Sequence, residues 1–163
     1  MALLAQPDGS IASDTQFLVD EIARLLDALD PDEVYLPSAL DWHPDHVALN
    51  GAARLAMSRR PTTATVLEYP VWYWAEGPWR PTTDERQLAK AVHLITEPWR
   101  SAKRLRVEKV STGCFVDQKR LAIAAHRSQT QNLTGERSWA TLPQSWFEPF
   151  LGESEVFFRA QSV

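Results

Sequence analysis

Apolar residues Leu18, Ile22, Leu25, Leu26 and Leu29 recur at the three- and four-residue intervals of one helical face. Ser13, with Gln16 three residues on, has the form of a capping box that would start that helix. Pro7-Asp8-Gly9 upstream is a turn signal, and Asp30-Pro31 ends the helix because the residue before a proline is driven out of the helical region. Val34-Tyr35-Leu36 then reads as a short strand. Leu49, Ala52, Ala53 and Ala56 give the next helix a stripe of small apolar residues suited to close packing on a sheet. Thr63 to Tyr69 reads as a second strand. Arg104 to Val116, with alternating apolar positions, reads as a third, followed by a helix over Asp117 to Gln129, a short helix near Ser145 to Leu151 and a strand near Val156 to Phe158. Val71 to Thr83 is loop-like, with Trp72, Tyr73, Trp74 and Trp79 among prolines and polar residues. Alternation of helix and strand predicts an α/β domain with a parallel sheet flanked by helices. Ligands of such sheets sit beyond the carboxyl ends of the strands.

Composition narrows the function. The 163 residues are 44% hydrophobic and 23% charged, which fits one globular domain over 1–163 without a repeat or linker. A net charge of -4 argues against nucleic acid as a partner, since phosphate binding needs clustered Lys and Arg. The basic run Arg100 to Arg106 is read as a solvated face. Cys114 is the single cysteine, so an intrachain disulfide and a cysteine-based zinc cluster are both ruled out; with apolar Phe115 beside it, it is expected to be a buried, inert thiol. No signal peptide or membrane-length apolar run is evident, so a cytoplasmic location is expected.

The segment Asp41-Trp42-His43-Pro44-Asp45-His46 joins the first strand to the second helix and concentrates the candidate chemistry. Pro44 holds His43 extended and suits the first helical position, so His46 falls in the first turn with His43 just before it. Two imidazoles facing one volume suggest a metal or hydrolytic site, since neutral imidazole ligates metals. The simpler reading is a helix-capping turn in which they satisfy backbone groups and Asp45 is an acid favoured by the helix dipole.

Taken with Lys119-x-x-Ala122-x-x-x-His126-x-Ser128-Gln129, the motif Asp41-x-His43-Pro44-Asp45-His46-x-Ala48 resembles the PIG-L/LmbE-like N-acetylglucosaminyl deacetylases. Pro7-Asp8-Gly9-Ser10 is similar to the family segment that precedes the helix leading to the metal-site strand. The resemblance implies a Rossmann-like fold and zinc-dependent removal of an acetyl group from an N-acetylated amino sugar. It implies that His46 ligates zinc, that His43 and Asp45 are catalytic, and that Asp41 orients an imidazole from behind the metal. His43 would stabilise the oxyanion or protonate the leaving amine. Among the tryptophans, whose faces can pack on a pyranose, Trp42 and the pair Trp79-Arg80 are the candidate substrate contacts; core packing or a contact in a homo-oligomer are the other uses open to these side chains.

The sequence departs from that family at its front. The early His-Pro-Asp-Asp motif, which supplies the other zinc ligands and the general base, has no counterpart; Gln6-Pro7-Asp8-Gly9 lacks the histidine and one carboxylate. The expectation is a domain lacking the first strands, as a fragment, a displaced start or a degenerate relative, and by itself a weak catalyst. The alternative is a non-catalytic carbohydrate-binding or partner-binding remnant of the same family.

Overall fold

The computed structural model describes residues 3–59, 63–76, 106–137 and 139–159. Helix α1 (Thr15–Leu29) leads to strand β1 (Glu33–Pro37), helix α2 (Pro44–Arg59) and strand β2 (Thr65–Tyr69). A single helical turn, α3 (Tyr73–Glu76), follows. Strand β3 (Arg106–Ser111), helices α4 (Val116–Ala125) and α5 (Arg127–Thr130), and strand β4 (Ser154–Arg159) complete the described elements, with short 3-10 turns between them.

The start of α1 lies one residue later than the capping-box pattern suggests. Asp14 is the N-cap, its Oδ1 accepting the Phe17 amide at 3.1 Å, while the Ser13 hydroxyl donates to the Ser10 carbonyl at 2.6 Å. Aspartate and serine cap about equally well, and a 3-10 turn over Ile11–Asp14 uses the serine first. The helix closes at Asp30 in the left-handed region (φ 41°), whose amide returns to Leu26 O at 3.0 Å. Leu29, expected on the apolar stripe, is 70% exposed because the last turn overruns the surface it packs on.

Leu18, Val19 and Leu26 of α1 meet Ala52, Ala53, Ala56 and Met57 of α2 and Leu36 of β1 in one buried core. Alanines on the facing side of α2 let the helices approach closely, while leucines from α1 fill the space, each contributing about 1.5–3 kcal/mol when fully buried. Val34 and Val66 continue this core onto the sheet.

The sheet is mixed, with order β1-β2-β4-β3. β1 and β2 are parallel, in register from Glu33 opposite Thr65 to Pro37 opposite Tyr69. β2 and β4 run antiparallel through Leu67 opposite Arg159 and Glu68 opposite Phe158. The expectation of a parallel sheet thus holds for the first pair and fails for the last strand, since apolar alternation is the same for either strand direction.

The chain divides into two compact units, 1–108 with 157–163, and 109–156. In the second, no described residue is fully buried. Lys119 ties it together, its Nζ donating to Thr112 Oγ1 at 2.8 Å and the Gly152 carbonyl at 3.3 Å and pairing with Glu155 Oε1 at 3.1 Å. The helix expected over 117–129 breaks at His126 into α4 and α5, and the one expected at 145–151 is a pair of 3-10 turns. Cys114 is exposed in a 3-10 turn over Gly113–Phe115 rather than buried in a strand; an apolar neighbour in sequence does not bury a residue once the strand has ended.

Ala56, fully buried at the α1–α2 contact, and Leu121, 73% exposed on α4, make a contrasting pair. Ala56→Leu is expected to cost about 1–3 kcal/mol by overpacking, and Leu121→Ser to stay within about 0.5 kcal/mol, as read from urea unfolding midpoints.

Candidate metal centre

The chain leaves β1 at Pro37 and enters α2 at Pro44, and this crossing carries the site. Ser38 N donates to Tyr69 O at 3.0 Å, and Asp41 N donates to Ser38 O at 3.1 Å, so the loop turns tightly at the carboxyl ends of β1 and β2. His43 stands just before the helix with its carbonyl accepting the Val47 amide at 3.1 Å, and His46 lies in the first turn, as the proline spacing implies.

Asp41 is 3% exposed. Its Oδ1 accepts the Tyr73 amide at 2.9 Å, the Val71 amide lies 3.3 Å from both oxygens, and Oδ2 is 2.8 Å from His46 Nδ1. An ionised carboxylate only accepts, so opposite it the proton belongs to Nδ1, and a neutral His46 then carries its lone pair on Nε2. This is the arrangement by which a carboxylate fixes an imidazole's tautomer and ring plane.

Asp45, also buried, turns toward the segment before α1. Its Oδ2 accepts the Gly9 amide at 2.7 Å and its Oδ1 the Ile11 amide at 3.1 Å, so it holds backbone rather than an imidazole. Those amides are available because Pro7 to Ser10 forms a turn closed by Ser10 N to Pro7 O at 3.2 Å, with Gly9 at φ 76°, where a side chain would be strained. The turn brings Asp8 to the start of α2. Ligand atoms of Asp8, His43 and Asp45 lie within 4.8 Å of one another, a group that could hold a metal ion. Asp8 is exposed, His43 half-buried and Asp45 buried. His43 Nδ1 is buried and has no hydrogen-bond partner among the described residues, a cost normally avoided in folded proteins.

The rings extend the site outward. His43 and His46 have centroids 5.0 Å apart, His43 stacks on Trp72 at 6.0 Å and 17°, and Trp72 meets Trp42 edge-on at 5.2 Å. Trp42 remains 51% exposed. Trp79 and Arg80, the other candidate substrate contacts, lie outside the described residues.

The structure thus brings Asp41, His43, Asp45 and His46 together and adds Asp8, which the sequence offers as part of a turn and of an incomplete counterpart to the early metal motif. The available signal was the Asp-Gly pair, whose backbone can fold back upon a helix start; the partner that receives it, Asp45, is 36 residues away in sequence. A comparison with protein-family models finds no match, and a comparison with curated proteins finds none.

Tyr69, at the end of β2, has its phenol pushed above the ordinary value of 10.0, first by burial and then by the negative charge of Asp41. Since the folded value exceeds the unfolded one, the stability this confers is present below about pH 10 and is lost as pH rises through the folded value. Ultraviolet titration should show this tyrosine ionising later than the unfolded chain's tyrosines. Asp41→Asn should bring it only part of the way back, because burial is the larger cause.

Proposed function

We propose that the chain is a metal-dependent hydrolase that removes an acetyl group from an N-acetylated amino sugar, the activity implied by its resemblance to the PIG-L/LmbE deacetylases. The observation that carries this reading is the meeting of Asp8, His43 and Asp45 around one small volume, beside a buried His43 Nδ1 that has no partner among the described residues. Two carboxylate oxygens and an imidazole nitrogen suit zinc, and three protein ligands match a catalytic rather than a closed structural site. When bound, zinc acidifies water and polarises a carbonyl.

The protein's own groups supply the rest. His46 Nε2, with Nδ1–H held by Asp41, is the acceptor for a proton from the attacking water, and the same nitrogen returns it to the departing amine. Asp41 keeps the ring in the tautomer that leaves Nε2 basic and faces the imidazolium formed in between. Asp45 contributes by holding Gly9 and Ile11, which keeps Asp8 at the site. The exposed face of Trp42, braced by Trp72, is the surface on which a pyranose would pack. The setting proposed is the cytoplasm, with a small sugar conjugate as substrate; among the described residues, no helix is long and apolar enough to cross a membrane.

The resemblance places the metal on His46 instead, with His43 and Asp45 as the catalytic pair, and the Asp41–His46 contact favours that second arrangement because ligating imidazoles are commonly oriented by a carboxylate. Metal content separates the two. In zinc-loaded, dialysed protein, mass spectrometry should find about one zinc per chain, with the ion lost in His43→Ala and retained in His46→Ala. The reverse pattern would move the ion to His46. Absence of zinc from the unsubstituted chain would refute the hydrolase reading and leave a carbohydrate-binding module using Trp42, detectable as sugar binding indifferent to chelator.

A further inference from the structure

Beside Leu36, its register partner on β1, where a strand packed under a helix would normally carry an apolar side chain, β2 carries Glu68, 5% exposed. Four donors surround its two oxygens. Asn50 Nδ2 donates to Oε1 at 3.0 Å while also reaching the Pro37 carbonyl at 2.8 Å, and the Arg54 guanidinium donates to the same oxygen. On the other side, the Ala39 amide and the Ser38 hydroxyl reach Oε2 at 3.3 and 3.4 Å. Asn50 in turn accepts from Arg54 Nε at 2.9 Å.

A buried charge in this position is far costlier than a leucine unless its contacts accomplish something. Two of them grip the turn that leads into the site. Ser38 is fully buried; its Oγ accepts the Leu40 amide at 3.2 Å and its carbonyl accepts the Asp41 amide at 3.1 Å. Glu68 therefore fixes Ser38, Ser38 fixes the backbone of Asp41, and Asp41 fixes the tautomer of His46. The cationic end of the network, Arg54, is on α2 two turns beyond His46, so the same carboxylate ties together the loop and the helix that His46 sits on.

We propose that Glu68 is a positioning residue for the Asp41–His46 pair, acting through Ser38 without touching the reacting groups. The inference rests on the reading of His46 as a working imidazole at the site. Glu68→Gln is the informative substitution, since whichever way the amide is turned its NH2 faces donors and one side of the network is broken.

The readout is the pair of His46 ring nitrogen resonances, assigned by their absence in His46→Gln and recorded on the full chain with chelator at a pH where imidazole is neutral. In the unsubstituted protein the proton is expected on Nδ1. Glu68→Gln should shift the tautomer ratio several-fold toward Nε2–H, and Ser38→Ala, which cuts the same path while leaving the charge network intact, should shift it in the same direction. Leu26→Ala, a core substitution that leaves a cavity, lowers stability without touching the path and should leave the ratio unchanged. The proposal is overturned if Glu68→Gln and Ser38→Ala both leave the ratio as it was, or if Leu26→Ala moves it equally; should Glu68→Gln fail to fold, Ser38→Ala decides. A parallel zinc titration keeps the two readings apart: a chain that takes up no zinc but shows these shifts retains the positioning role and loses the hydrolase.

Discussion

A buried carboxylate must be answered by donors, and the loop between β1 and α2 is built around answering Asp41. It is almost wholly removed from water and receives two backbone amides from the segment after β2 and one imidazole from α2. Three separate parts of the chain are held in place by one side chain. Removing those donors would leave an ion in a poorly solvating surrounding, which costs several kcal/mol, so the local fold and the orientation of His46 are one constraint. The same economy recurs at Asp45, whose carboxylate binds the turn that carries Asp8, and at Glu68, whose carboxylate binds the loop from behind.

These three acids divide the work. Asp41 fixes an imidazole, Glu68 fixes the path of the loop, and Asp45 draws a distant turn against the first turn of α2. Asp45 lies beside His43, whose Nδ1 is without a partner among the described residues while every buried polar group named above has one. An ion on Asp8, His43 and Asp45 would offset the repulsion between two carboxylates held near each other and, if taken through Nδ1, would satisfy that nitrogen. Trp72 stacks on His43 and meets Trp42 edge-on, an aromatic wall beside that imidazole.

Much of this layout is legible in the chain because it depends on local chemistry. Pro44 marks the start of α2 and the spacing of His43 and His46 follows from it; the alanine stripe of α2 marks its buried face, which meets α1 as well as the expected sheet at Leu36. The parallel pair of strands follows from their separation by a helix. What the chain does not disclose depends on contacts between residues far apart in sequence. The Asp45–Gly9 and Glu68–Ala39 contacts span 36 and 29 residues, and no periodicity encodes them. The direction of β4 against β2 is hidden for a related reason, since alternation reports which face a residue takes and not which way the strand runs. Leu29 and Cys114 show the converse error: apolar character in a local pattern suggests burial, but both side chains are exposed.

The volume between Asp8, His43 and Asp45 is the proposed metal centre. Its most direct test is diffraction from zinc-soaked crystals at wavelengths on either side of the zinc absorption edge. The account predicts a single anomalous peak with all three side chains within bonding reach, roughly 2.0–2.2 Å, and His46 turned toward Asp41 beside it. A peak on His46 Nε2 that Asp8 does not approach, or no peak at the start of α2, would contradict it.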